Sequence, residues 1–257
     1  MRIISLCPSL TELAFDLGVG GSLVGRTRFC IHPAAQVANV ARVGGTKNPN
    51  IARIIELRPD VVLMNEEENR LEDANALRAA GLDVVSSLPR STTDTAAMVR
   101  TIGHRLGCES RASAIARDIE QRAARVERDS QGLPNVRYAY LIWRDPWMTI
   151  SGDTFVAELL GLAGGVGVFG EHPIRYPAIT LDELRAANPA TILLASEPFP
   201  FADKHIHELA LALDWSPSRF MLADGELLSW HGSRTPRGID YAQEVIATAR
   251  SRQGEVV

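Results

Sequence analysis

Short β-branched runs alternate with amphipathic helical stretches along this 257-residue chain, and that alternation restricts the fold more than any single motif. A strand reaches a parallel neighbour only through a crossover, so the pattern predicts an α/β protein with parallel sheets. Arg2–Cys7 reads as the first strand. Ser9, with Glu12 three residues on, reads as a capping box for a helix through Leu17, stopped by Gly18 and Gly20. The first half then predicts strands at Leu23–Thr27, Val61–Met64 and Val84–Ser87, with helices at Ile51–Leu57, Leu71–Ala80 and Thr92–Leu106. In the second half a strand is expected at Tyr138–Trp143 and a helix at Thr154–Leu162. A capping box follows at Thr180 and Glu183, a strand at Thr191–Ala195, and a terminal helix from Pro236 or Gly238.

Two pairs of segments look like copies. Ile54–Leu63 and Leu184–Leu193 each run from a helix end through a proline stop into a buried strand, and a glutamate follows each, Glu66 and Glu197. Thr11-Glu12-Leu13 and Ala157-Glu158-Leu159 each precede a glycine-stopped helix. Two such pairs in the same order point to duplicated lobes. Between them, Ala112, Ile115, Ala116, Ile119, Ala123 and Val126 fall on one helical face. The expected division is a lobe at 1–108, one long helix at 109–131 that bridges stiffly, and a lobe at 132–257. A crossover helix inside one sheet is the competing reading of that helix.

Composition closes several doors. A hydrophobic content of 46% suits a globular core, and a net charge of −4 argues against a nucleic-acid partner. No apolar run reaches the roughly 20 residues of a membrane span. Cys7, Cys30 and Cys108 are odd in number and lack a Cys-x-x-Cys pair, which fits a reducing compartment. Met1-Arg2 runs straight into a strand without a signal-peptide pattern, so the chain as it stands reads as cytoplasmic; with a trimmed N-terminus the expectation becomes periplasmic or lipid-anchored. Gly165-Val166-Gly167-Val168-Phe169-Gly170 matches G-x-G-x-x-G, but a helix precedes it and prolines follow, so it reads as a helix-stop loop.

Ligands of parallel sheets meet the loops at the carboxyl ends of the strands. Those loops supply the ligand-binding candidates Ser9, Arg28, Phe29, Lys47, Glu66, Glu67, Arg90, Trp143, Arg144, Trp147, Arg175, Tyr176, Phe199, Trp230 and His231. Three of the chain's four tryptophans lie in the second-half loops, where exposed aromatics are costly unless they pack a ligand or cap the core. Together with Arg234 and Arg237, the basic candidates bias the predicted cleft toward an anionic group. Glu66-Glu67-Glu68 reads as the opening of a helix, where the dipole favours carboxylates. Cys30 and His32, two apart on an extended segment, would face one side and could share a transition metal with Glu66 or His231. His205 and His207 lie in a polar stretch and read as surface residues.

Arg2-Ile3-Ile4-Ser5-Leu6-Cys7-Pro8-Ser9-Leu10-Thr11-Glu12-Leu13 and the segment from Pro49 to Pro59-Asp60-Val61-Val62-Leu63 resemble the substrate-binding proteins for cobalamin and iron-siderophores. The likeness extends more loosely over the long helix and Ser151-Gly152-Asp153-Thr154-Phe155. It implies two Rossmann-like lobes joined by a long backbone helix, with a cobalamin-like ligand or metal chelate bound between them and passed to an ABC permease. Docking glutamates on the lobes would be Glu72 and an acid near Glu197 or Glu208. The loops Arg28–Pro33 and Asn65–Arg70 are similar to those of a subset without export signals. Two alternatives stand beside this binding protein: a cytoplasmic metal or cofactor handler using Cys30, His32 and Glu66–Glu68, and an enzyme with Cys30 as nucleophile beside His32.

Overall fold

The computed structural model describes residues 1–254, which form two compact units. The first takes 1–89, 93–118 and 231–234; the second takes 90–92, 119–230 and 235 onward. In chain order the first half supplies β1 (Ile3–Ser5), α1 (Pro8–Asp16), β2 (Leu23–Arg26), α2 (Ala34–Val37), α3 (Ile51–Glu56), β3 (Val61–Asn65), α4 (Leu71–Ala79), β4 (Val84–Ser87) and α5 (Thr92–Arg105). Helix α6 (Glu109–Ser130) follows. The second half supplies β5 (Val136–Leu141), β6 (Trp147–Met148), α7 (Phe155–Leu162), β7 (Gly165–Gly167), β8 (Ala178–Ile179), α8 (Leu181–Ala187), β9 (Thr191–Ala195), α9 (Asp203–Leu213), β10 (Phe220–Ala223), α10 (Gly225–Ser229) and α11 (Thr235–Gly254).

The first sheet has the order β2-β1-β3-β4 and every pairing is parallel, with Ile4 beside Val62 and Leu63 beside Val85. The second has the order β10-β9-β5-β7, also all parallel, with Tyr140 beside Leu193 and Leu193 beside Met221. Numbered within its own unit, each sheet reads 2-1-3-4. The copied segments fall on equivalent elements: α3–β3 answers α8–β9, and α1 answers α7. β3 and β9 are buried along their whole length, as apolar runs in a sheet covered on both faces must be. Ile4, Leu6, Ile54, Val62 and Met64 centre one core, and Leu141, Leu184, Ile192, Leu194 and Leu209 the other. Each such side chain contributes about 1.5–3 kcal/mol by leaving water.

Local signals set most element ends. Asn50 caps α3 by accepting from Arg53 N, and Thr154 caps α7 by accepting from Ala157 N. At α8 both halves of the Thr180–Glu183 capping box form, with Glu183 N donating to Thr180 Oγ1 at 3.1 Å and Thr180 N donating to Glu183 Oε2 at 2.7 Å. The Ser9–Glu12 box does not form. Pro8 occupies the first helical position, Cys7 becomes the N-cap, and Glu12 turns to Arg234, whose guanidinium donates to both of its oxygens at 2.7 and 2.8 Å. Ala112, Ala116, Ile119 and Val126 form the buried stripe expected of α6. Gly165–Gly167 is also more than a helix-stop loop: it pairs with β5 as a short strand, although no helix follows it.

Candidate ligand-binding site

A 2-1-3-4 sheet changes direction between its first and third strands, and the carboxyl ends of those two strands flank the natural ligand crevice. In the first unit these are the loops after β1 and β3; in the second, the loops after β5 and β9.

The first-unit crevice is laced by amides. Asn69, buried, donates through Nδ2 to Leu6 O and to Thr46 O, both at 3.0 Å, and its Oδ1 accepts from Asn65 N at 2.9 Å. Asn65 Oδ1 accepts from Glu67 N and Glu68 N, and its Nδ2 donates to Ser87 O and to His231 Nε2 at 2.9 Å. This Asx turn corrects the reading of Glu66-Glu67-Glu68 as a helix opening. The side chain of Asn65 takes the amides of the acids, α4 starts later at Leu71, and its first-turn acids are Glu72 and Asp73. Lys47 Nζ donates to Glu67 O. Packing around Glu68 raises its carboxyl above the usual carboxylate range, and Lys47 opposes that shift. Ser9 is buried in α1 with its hydroxyl 3.3 Å from Cys7 Sγ. His231 reaches this unit because Gly232 turns the chain at φ 122°, where a side chain would be strained.

The second-unit crevice is laced by rings. Trp143 is 40% exposed and meets Phe199 edge-on at 5.8 Å between centroids. Phe199 packs on Phe201 at 4.7 Å, and Trp147 stacks on Phe201 at 6.2 Å. His205 corrects the surface expectation made for it: it is buried in α9, its Nδ1 accepts from Ala202 N, and its ring meets the edges of Phe199 and Phe201. The polar string Asp203-Lys204-His205-Ile206-His207-Glu208 hid that helix, and His207 does lie exposed. Trp230 leaves the ligand candidates for the core. It is 9% exposed, and its Nε1 donates to Glu197 Oε1 at 2.6 Å, where Ser229 Oγ also donates.

The basic candidates divide in the same way. Arg90 pairs with Asp153 at 2.9 Å, and Arg144 with Glu208 at 2.6 Å. The Arg28 guanidinium lies over exposed Phe29 at 4.8 Å, Arg144 over Trp147 at 5.8 Å and Arg175 over Tyr176 at 5.9 Å. Glu72 stands exposed at the start of α4, whereas Glu197 is held by Trp230 and Ser229.

Cys30 and His32 do not share an extended face. Arg28-Phe29 is a turn, Cys30 is fully buried against Thr27 Oγ1 at 3.1 Å, and His32 is only half-buried. Burial raises the Cys30 thiol and pushes the Cys7 thiol up to about 12, so neither is a ready thiolate nucleophile at neutral pH. Among the described residues no three His, Cys, Asp or Glu side chains gather as a metal site. Asn65 and Asn69 were the residues sequence reasoning passed over, although two asparagines bracketing the triple glutamate are a visible turn signal.

A family model described as periplasmic binding protein matches residues 3–210. A vitamin B12-binding protein of Vibrio cholerae serotype O1 is 23% identical over 248 residues, covering 95% of this chain and 87% of its own. Among solved structures, a periplasmic vitamin B12 binding protein of Vibrio cholerae superposes with a TM-score of 0.82 at 21% identity, covering 97% of each chain. A periplasmic heme-binding protein of Roseiflexus sp. RS-1, in apo form, superposes with a TM-score of 0.83 at 21% identity, covering 98% of each. At these identities the structures speak for the fold. Members of the family are solute-binding proteins, not enzymes, and the cysteine-enzyme and metal-handler readings draw no support from them. Among the described residues no helix is long and apolar enough to cross a membrane.

Proposed function

This chain belongs to the periplasmic binding protein family, and on that premise we propose that it captures a corrinoid or related metal chelate and releases it unchanged. The carrying observation is the pairing of guanidinium with ring in the strand-end loops. Two of the four cation–ring pairs among the described residues, Arg28–Phe29 and Arg175–Tyr176, lie there, while the guanidinium of Arg144 beside Trp147 is held by Glu208. Exposed rings such as Trp143 and Phe29 offer flat apolar area to a macrocycle, and guanidinium groups beside them suit its anionic substituents. The relatives named as vitamin B12-binding and heme-binding proteins take ligands of that chemistry.

Titration of the purified chain with cyanocobalamin, cobinamide, haemin and a ferric siderophore tests the reading. Saturable binding of one of them without chemical change supports it; a flat response to the whole panel overturns it. Delivery to an ABC permease belongs to the same proposal, with exposed Glu72 as the docking acid of the first unit. The second unit's acids Glu197 and Glu208 already hold Trp230 and Arg144. The two structural relatives are periplasmic proteins and lend no support to a cytoplasmic site of action, so capture in the periplasm is part of the proposal; fractionation of source cells with a marker enzyme for each compartment checks that assignment.

A further inference from the structure

We propose that His205 is a positioning residue of the second unit's aromatic crevice: from behind, it sets the Phe199 ring and through it Trp143, a role that rests on the reading of those rings as the ligand face. Exposure falls step by step inward. Trp143 is 40% exposed, Phe199 is half-buried and His205 is 5% exposed. Trp143 meets Phe199 edge-on at 5.8 Å between centroids, and the His205 ring meets Phe199 at 5.2 Å and 68° and Phe201 at 5.4 Å and 88°. The imidazole is thus a wedge shared by two phenyl rings, both within the range of edge-to-face pairs. Its own place is fixed by its helix. Nδ1 accepts from Ala202 N at 2.9 Å, and Leu209, Ala210 and Leu213 anchor α9 in the core. Three residues on, Glu208 accepts from Arg144, whose guanidinium lies over Trp147. The loops after β5 and β9 are therefore both fastened to the start of one helix.

His205 stands three residues after the N-cap Ala202, at the position where Glu or Gln ordinarily reaches back to the N-cap amide. Either would return that hydrogen bond, and both are better helix formers than histidine. What the imidazole adds is a rigid ring, with one nitrogen for the backbone and edges for two phenyl groups. A residue that only starts the helix needs the hydrogen bond and can lose the ring. One that positions the crevice needs the ring, because holding Trp143 in its bound orientation before the ligand arrives removes an ordering cost from binding.

Two variants of the full chain separate these roles. His205→Gln keeps the hydrogen bond to Ala202 N and removes the ring; His205→Phe keeps a ring and removes the hydrogen bond. Fluorotryptophan is incorporated, and the Trp143 resonance is assigned by its loss in Trp143→Phe. Fluorine NMR without ligand should show that resonance displaced in His205→Gln and close to its wild-type position in His205→Phe, with Trp215 unmoved in both. Affinity for whichever of cyanocobalamin, cobinamide, haemin and the ferric siderophore binds should fall about tenfold in His205→Gln and less than about threefold in His205→Phe. His205→Gln retains its helix cap and decides alone should His205→Phe fail to fold. The NMR signature needs no ligand, so a flat panel overturns the chelate reading while the Trp143 resonance still decides the positioning role. A Trp143 resonance in His205→Gln that coincides with wild type, or one displaced equally in both variants, overturns that role.

Discussion

In the first unit the loops after β1 and β3 are tied by amide side chains: Asn69 holds Leu6 O and Thr46 O, and Asn65 gathers two backbone amides and His231. In the second unit the equivalent loops, after β5 and β9, meet through Trp143 and Phe199, with Phe201 and Trp147 stacked behind. Both sheets run 2-1-3-4, so the backbone places a crevice at the same point in each. Side chains then decide its chemistry. The amide side chains are spent on backbone groups and His231, whereas rings leave apolar area that a ligand can cover.

That contrast predicts where substitutions act alike and where they part. Leu63 and Leu193 occupy matching positions on β3 and β9 and are both fully buried, so Leu63→Ala and Leu193→Ala should each cost about 2–5 kcal/mol in urea unfolding. A cost confined to one of them would break the equivalence of the cores. Asn69→Ala comes next, at roughly 2–3 kcal/mol, because it strands Leu6 O, Thr46 O and Asn65 N in a buried place. A loss near zero would mean the lattice is ornamental.

The buried thiol at the N-cap of α1 adds a pH signature to the first unit, while the second unit's buried phenols Tyr138 and Tyr140, also raised by burial, act at higher pH. The thiol's folded pKa, pushed up to about 12 by burial and then by Glu68, lies above the 9.0 of an unperturbed thiol. The folded state therefore keeps a proton that the unfolded chain releases, and stability is complete below pH 9 and falls above it. Between pH 9 and 10 stability should fall by about 1 kcal/mol, the slope rising toward about 1.4 kcal/mol per pH unit as the unfolded thiol ionises fully, and Cys7→Ala should reduce that loss. A wild-type unfolding midpoint unchanged over that interval would contradict the assigned burial. Smallest of all, Glu72→Ala should change stability by less than about 0.5 kcal/mol while lowering permease-dependent uptake; unchanged uptake would remove Glu72 from docking.

Much of this architecture was readable in advance, for a physical reason. Val84–Ser87 and Thr191–Ala195 are short β-branched runs bounded by breakers, and the Thr180–Glu183 box carries its own hydrogen bonds, so local chemistry fixes all three. The site was less legible because its roles depend on partners distant in sequence. Trp230 looked like an exposed ligand ring until Glu197, 33 residues away, proved to hold its indole nitrogen. Arg144 looked like a ligand cation, and Glu208, 64 residues on, pairs with it. The Ser9–Glu12 box failed for a local reason, Pro8 taking the first helical position, and for a distant one, Arg234 claiming the glutamate.

The aromatic crevice as the ligand-facing surface is the central claim, and Trp143→Ala tests it most directly. The account predicts an unfolding midpoint close to wild type, since the ring is 40% exposed, together with at least a tenfold loss of affinity for whichever chelate of the panel binds. Affinity unchanged in a correctly folded Trp143→Ala protein would contradict it.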